Sequence, residues 1–245
     1  MRDRTLLWAL LGASGVGIAY ALRGKASSVT HAIGSAMDAV QAELFKLIIP
    51  SVARPYADVI LQVAREESIS PFLITTIGYR ESGWGTSPYL DKPGPGGRGD
   101  YGHGHGLMQI DDRSWGNWLS KNRWDDPYTN VSFAIGTILK NKINFFAGTA
   151  RVPGLTDGTW VTLSVSQAEK RNVDPGDYPE PRPLHGDELT QAGVAAYNTG
   201  EGNVLMSLAV GLHPDFTTTA PPYATDVLGR MAVLIDKFNN QASVS

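Results

Sequence analysis

The chain of 245 residues contains no cysteine. Disulfides, thiolate catalysis and the cysteine-based zinc sites are therefore excluded, while the redox compartment stays open. It also lacks any excess of positive charge. Lys and Arg number 21 against 24 Asp and Glu, a formal net charge of −3. A nucleic-acid partner usually leaves a basic footprint, so that class is set aside. No internal repeat is visible, which removes solenoid architectures. What remains is an ordinary globular balance, 42% hydrophobic and 18% charged. That is enough chain for one good-sized domain, or for one domain with an appendage.

One long apolar run stands apart at the start. "MRDR" leads into "TLLWALLGASGVGIAYAL", residues 5–22 without a charge, closed by Arg23 and Lys25. Its length is about the minimum for a membrane-spanning helix. Gly12, Ser14, Gly15 and Gly17 would allow close helix contacts in lipid. A cleaved signal peptide also fits, with Ala19-Tyr20-Ala21 as an Ala-x-Ala site, and so does a buried N-terminal helix. Residues 1–25 are thus read as an anchor or signal segment, with membrane contact through residues 5–22.

Residues 26–54 read as a small, polar linker running into an amphipathic helix that stops before Pro50. The spacing of Val59, Ile60 and Val63 predicts a helix from Tyr56 to Glu67. Ser70-Pro71 is a helix start, with serine as N-cap and proline in the first turn. That helix, "FLITTIGYRES", should end at Gly83. A glycine- and proline-rich loop follows from Tyr89 to Gly106, then "LMQI" as a short strand. A helix is expected from Asn130 to Phe146. Residues 148–186 are too long and too weakly periodic for a plain connection and form an inserted segment. Helices around "ELTQAGVAAY" and "ATDVLGRMAVLIDKF" close the chain. The expected fold class is mainly α, a helical domain with a small loop-and-strand region between Trp84 and Trp118.

Several side chains have the chemistry for a site. Glu81 falls at the end of a helix whose body is Phe72, Leu73, Ile74 and Ile77. The negative end of the helix dipole and apolar surroundings both favour a protonated carboxyl, as a general acid requires. An exposed terminal glutamate paired with Arg80 is the plainer alternative. Asp100, in "GRGDYGHGHG", and Asp111, after "LMQI", are candidate partners. Cleavage of a glycosidic bond takes two carboxyl functions, one to protonate the leaving oxygen and one to attack or to activate water. The plainer alternatives are a turn for Asp100 and, for Asp111 and Asp112, a helix cap or an ion pair with Arg113. In "LMQID", period-two alternation sends Gln109 and Asp111 to one face. Leu107, Met108 and Ile110 would then pack behind them. His103 and His105 alternate as metal ligands can, yet without a third ligand they fall short of even a catalytic zinc. They are read as lining the loop and touching substrate, His105 in particular, with a merely solvent-facing pair as the alternative.

"YRESGWG", "GHGLMQID", "AAYNTGEGNV" and "PPYATDV" occur in that order. Together they resemble the goose-type lysozymes and the related soluble lytic transglycosylases, which cleave the glycan of bacterial peptidoglycan. The resemblance spans roughly residues 55 to 238. It implies a lysozyme-like α+β fold over a catalytic domain at 55–240. It implies Glu81 as catalytic acid, with Asp100 and Asp111 placing the hydrolytic water. It also implies Ser82, Gln109, Tyr197, Asn198 and Tyr223 around the saccharide. No cofactor and no metal is called for, and the partner is the peptidoglycan glycan strand. A lytic transglycosylase uses the sugar's own 6-hydroxyl and can lack the aspartates. Their presence here favours hydrolysis of the MurNAc–GlcNAc bond with inversion. The alternatives are a transglycosylase leaving 1,6-anhydro ends, and an inactive wall-binding or virion structural module. A bacterial envelope or a bacteriophage virion is the expected setting.

Overall fold

The computed structural model describes residues 39–147, 184, 186–209 and 212–242. The protein is mainly helical, with one small three-stranded antiparallel sheet. Among the described residues no helix is long and apolar enough to cross a membrane. The apolar run at 5–22 lies outside those residues. The segment 55–240 is divided between two compact units, one taking in Met1–Ser132 and Arg230–Ser245, the other Phe133–Gly229.

In the first unit, helix α1 covers 39–48 and stops before Pro50. It turns Phe45 inward and leaves Val40 and Leu47 on the surface. A 3-10 turn, Ser51–Tyr56, joins it to α2, Ala57–Glu67. There Ala57, Ile60, Val63 and Ala64 are buried at helical spacing. Helix α3, Pro71–Ser82, is the unit's central element, buried on every side from Pro71 to Gly78. Such a helix must satisfy its own polar groups. Thr75 and Thr76 do so by donating to the carbonyls of Pro71 at 2.8 Å and Phe72 at 3.0 Å. Phe72 is its packing centre, 5.4 Å from Phe45 and 5.5 Å from Phe238. Ser70 does hold the N-cap position, but its hydroxyl makes no capping bond. Pro71 alone supplies the start, because its fixed φ suits the first turn.

Helix α3 ends on Gly83 in the left-handed conformation, with Gly83 and Trp84 N–H groups returning to the carbonyls of Tyr79 and Gly78. The bond from Gly83 to Tyr79 is that of an αL cap. Trp84 is itself left-handed (φ 55°). For a bulky residue that costs about 1–2 kcal/mol. Its ring is 1% exposed, its indole N–H donates to the Thr75 carbonyl at 2.9 Å, and it stacks on Tyr56. The ring lies where a Gly78 side chain would be, since a Cβ there would stand 2.6 Å from it.

The sheet comprises β1 (Arg98–Gly99), β2 (Gly104–His105) and β3 (Ile110–Asp111), in that order. Helix α4, Asp112–Leu119, follows at once and is kinked at Trp115. Helix α5, Pro127–Phe133, begins three residues before Asn130. The Asp126 carboxylate accepts the Thr129 N–H and hydroxyl at 2.9 and 2.8 Å, a cap that fixes this earlier start.

The second unit continues through a π-helical stretch, Ala134–Leu139, into α6, Lys140–Phe146. Of the expected insertion at 148–186, only its end is described. Leu184 forms a parallel bridge with Ala147, and Gly186 opens helix α7, Gly186–Thr199. Helix α8, Glu201–Ala209, comes next. Helix α9, Tyr223–Ala242, starts in this unit and ends in the first. Its N-terminus rests on Asp215, 5% exposed, which accepts the N–H groups of Ala224 and Thr225 at 2.7 Å each. A carboxylate there satisfies orphan donors and meets the positive end of the helix dipole.

Candidate active site

Glu81 is the penultimate residue of α3 and is half-buried. What fixes that helix end is its neighbour. Ser82 is 0% exposed, donates its hydroxyl to the Leu107 carbonyl at 2.6 Å and accepts the Gly85 N–H at 3.0 Å. The residue carrying Glu81's backbone onward is thus bonded directly to the turn that precedes Gln109 and Asp111. This corrects the expectation that Ser82 contacts saccharide. A fully enclosed hydroxyl with both roles committed to backbone ties two segments together and is closed to a ligand.

The turn itself departs from the expected strand. Leu107, Met108 and Ile110 are buried (0%, 0% and 1%), as core residues behind a cleft wall should be. But Gly106–Gln109 is a turn, closed by the Gln109 N–H on the Gly106 carbonyl, and strand β3 holds only Ile110 and Asp111. Gln109 is left-handed (φ 47°), so period-two alternation does not link it to Asp111. Its side chain folds back over the sheet, donating to the Gly106 carbonyl at 2.6 Å. The amide oxygen lies against Gly99 and Gly104, facing partners in β1 and β2, where any side chain would displace it. The glycines of this region therefore make room for Gln109.

Asn130, 0% exposed, braces the same turn from α5. It accepts the Met108 N–H at 2.9 Å and donates to the His105 carbonyl at 3.1 Å. Asn130 thus bonds a backbone N–H within the turn and a backbone carbonyl just before it.

Asp100 and Asp111 are brought together by Arg113. The guanidinium donates from Nε to Asp111 Oδ1 at 2.7 Å and from Nη2 to Asp100 Oδ2 at 2.6 Å. Ser114 adds a bond to Asp111 Oδ2 at 3.0 Å. Partial burial opposes ionisation of Asp111, but the bonds from Arg113 and Ser114 and the guanidinium charge outweigh it. Its carboxyl is held below the usual aspartate range, so it is a carboxylate at neutral pH. Asp100 and Tyr101 are both left-handed (φ 46° and 55°), and Tyr101 is fully exposed at the loop tip.

Asp112 does not pair with Arg113. Its carboxylate accepts from His103 Nδ1 at 2.8 Å and lies 3.4 Å from His105 Nε2. The bond from His103, with the further one from His105, holds its carboxyl below the usual range against the pull of burial. His105 is largely enclosed, with 12% side-chain exposure, and its ring stands edge-on to Trp124 at 4.8 Å. Its ring is taken up by Asp112 and Trp124, which leaves little of it for the expected substrate contact. Among the described residues no group of three or more His, Asp or Glu is arranged to hold a metal ion.

The remaining residues expected at the saccharide belong to the second unit. Tyr197 is half-buried near the end of α7. Asn198 is exposed and accepts the Thr219 N–H at 3.1 Å. Tyr223 opens α9 as expected but is 2% exposed, a core side chain. The ion pair of Arg113 with Asp111 is the plainer alternative expected for that aspartate. The second bond of Arg113, to Asp100, and the parts played by Ser114 and Asn130 have no counterpart among the sequence expectations. No protein-family model matches this sequence, and no curated protein matches it.

Proposed function

We propose that this chain is a peptidoglycan-cleaving glycosidase of lysozyme-like fold, hydrolysing the β-1,4 bond between MurNAc and GlcNAc with inversion. One observation carries the reading. Two carboxylates, Asp100 and Asp111, share a single guanidinium beside a turn that Ser82 bonds to the helix end bearing Glu81. An acid on one element and a fixed carboxylate pair on another are the two functions glycoside hydrolysis needs. The four ordered motifs supply the substrate class.

In the proposed reaction Glu81 gives its proton to O4 of GlcNAc as the C1–O4 bond breaks. A water held by Asp111 and Asp100 attacks C1 of MurNAc from the opposite face, and its proton passes to Asp111. General acid catalysis of this kind contributes about 10²–10⁴-fold in rate. Gln109, beside the carboxylate pair, is assigned to the saccharide, and the run at 5–22 to membrane contact, which suits an enzyme of a bacterial envelope or a phage particle.

The test is digestion of purified sacculi followed by mass spectrometry of the soluble fragments. New reducing MurNAc ends are expected. Exclusive 1,6-anhydro ends would make the chain a lytic transglycosylase, and binding to sacculi with no new ends would make it an inactive wall-binding module.

A further inference from the structure

Arg113 touches both candidate water-placing carboxylates. It reaches two residues back to Asp111 and thirteen back to Asp100. The loop bearing Asp100 has reason to move without it. Asp100 and Tyr101 are consecutive non-glycine residues in the left-handed region, which a bulky side chain such as that of Tyr101 disfavours. Arg113 is also suited to the task by shape. The guanidinium is a rigid fork whose separate N–H groups fix two oxygens at once, which a lysine ammonium on a flexible stem does not do.

We propose that Arg113 is the positioning residue that selects water as the acceptor of the glycosyl centre. Held on one fork, Asp100 and Asp111 present their free lone pairs to a single water. Released, they no longer fix it, and the sugar's 6-hydroxyl competes for C1. On that route the sugar's own 2-acetamido oxygen bonds C1 as Glu81 protonates O4 and the C1–O4 bond breaks; the 6-oxygen then displaces that oxygen from C1, and its proton returns to the Glu81 carboxylate. The product is a 1,6-anhydro end in place of a reducing end. The inference rests on the proposed glycosidase reading.

The experiment compares the full chain with Arg113→Gln and Arg113→Lys on purified sacculi, scoring reducing against 1,6-anhydro ends, kcat, KM and melting temperature. Arg113 is 59% exposed, as befits a side chain whose loss leaves the core intact. For Arg113→Gln, kcat for reducing ends should fall roughly ten- to hundred-fold, the scale of a displaced reacting group. KM should hold within a factor of two or so, and the anhydro share should rise. Arg113→Lys should resemble the Gln variant, since charge without the fork does not span both carboxylates. If Arg113→Gln fails to fold, Arg113→Met, which keeps the apolar stem and removes the fork, should give the same product shift. Unchanged kcat and product ratio in Arg113→Gln, or full recovery in Arg113→Lys, would overturn the inference while leaving the glycosidase reading intact. Parent protein yielding only anhydro ends would overturn it too, because no water is then being placed. Parent protein yielding no new ends sinks the glycosidase reading first.

Discussion

Replacing Ser82 with alanine isolates the joint between the helix end and the hairpin turn. The hydroxyl donates to the Leu107 carbonyl at 2.6 Å and accepts from Gly85 at 3.0 Å, in a residue that is 0% exposed. The Gly85 N–H also reaches the Ser82 carbonyl at 3.0 Å, so it keeps a partner. The Leu107 carbonyl loses the bond that the hydroxyl supplied. A buried acceptor left without a partner costs about 1–3 kcal/mol, and the rest of the joint adds a little more. The expected loss is therefore about 2–3 kcal/mol. For a chain of this size each kcal/mol lowers the melting temperature by about 2–4 °C, which gives a fall of roughly 4–12 °C. Thermal melting followed by circular dichroism measures it. Ser120→Ala serves as the control, because that hydroxyl bonds the Asn117 carbonyl on the surface and its loss should stay within about 0.5 kcal/mol. At 25 °C, where both forms are folded, wall-cleaving activity of Ser82→Ala should fall further than stability alone accounts for. A Ser82→Ala melt within about 1 °C of the parent would refute the joint.

Gly78→Ala should destabilise by about 1–3 kcal/mol through overpacking, because the new methyl meets the Trp84 ring at 2.6 Å. A stability change below about 0.5 kcal/mol in denaturant titration would show that the ring moves aside freely. Asp112 carries a carboxyl held below its usual value by His103 and His105. Its contribution is fully present above the ordinary aspartate pKa of about 3.9 and is lost as pH falls through the lower folded value. Melting temperature should therefore drop less steeply on acidification in Asp112→Asn than in the parent. Parallel curves would contradict the two-histidine clamp.

Local signals made much of the helical body legible. Pro71 at the first turn and Gly83 after the last bracket α3 because both act on the backbone next to them. Tyr223 opens α9 for the same kind of reason, two prolines having stopped what precedes it. The early start of α5 is also written locally, in Asp126-Pro127, whose capping bonds extend the helix ahead of the apolar pattern that begins at Asn130. Helix α4 is short and kinked at Trp115, which hides its period. The strand expected at "LMQI" failed on one dihedral. Gln109 is left-handed, held by its own bond to Gly106 and by room at Gly99 and Gly104. Candidate site residues were legible only singly. That Asp100 and Asp111 meet at Arg113, and that Asn130 braces a turn 22 residues earlier, depends on the register of three two-residue strands. No spacing rule encodes that register.

The central claim is that the Glu81 carboxyl delivers the proton. The most direct measurement is the initial rate of new glycan ends released from purified sacculi by Glu81→Gln, alongside a melting curve to establish that it is folded. The amide keeps the shape and has no proton to give. The rate should fall by about 10²–10⁴-fold with the melting temperature nearly unchanged. A folded Glu81→Gln that releases ends within about tenfold of the parent rate would contradict the account.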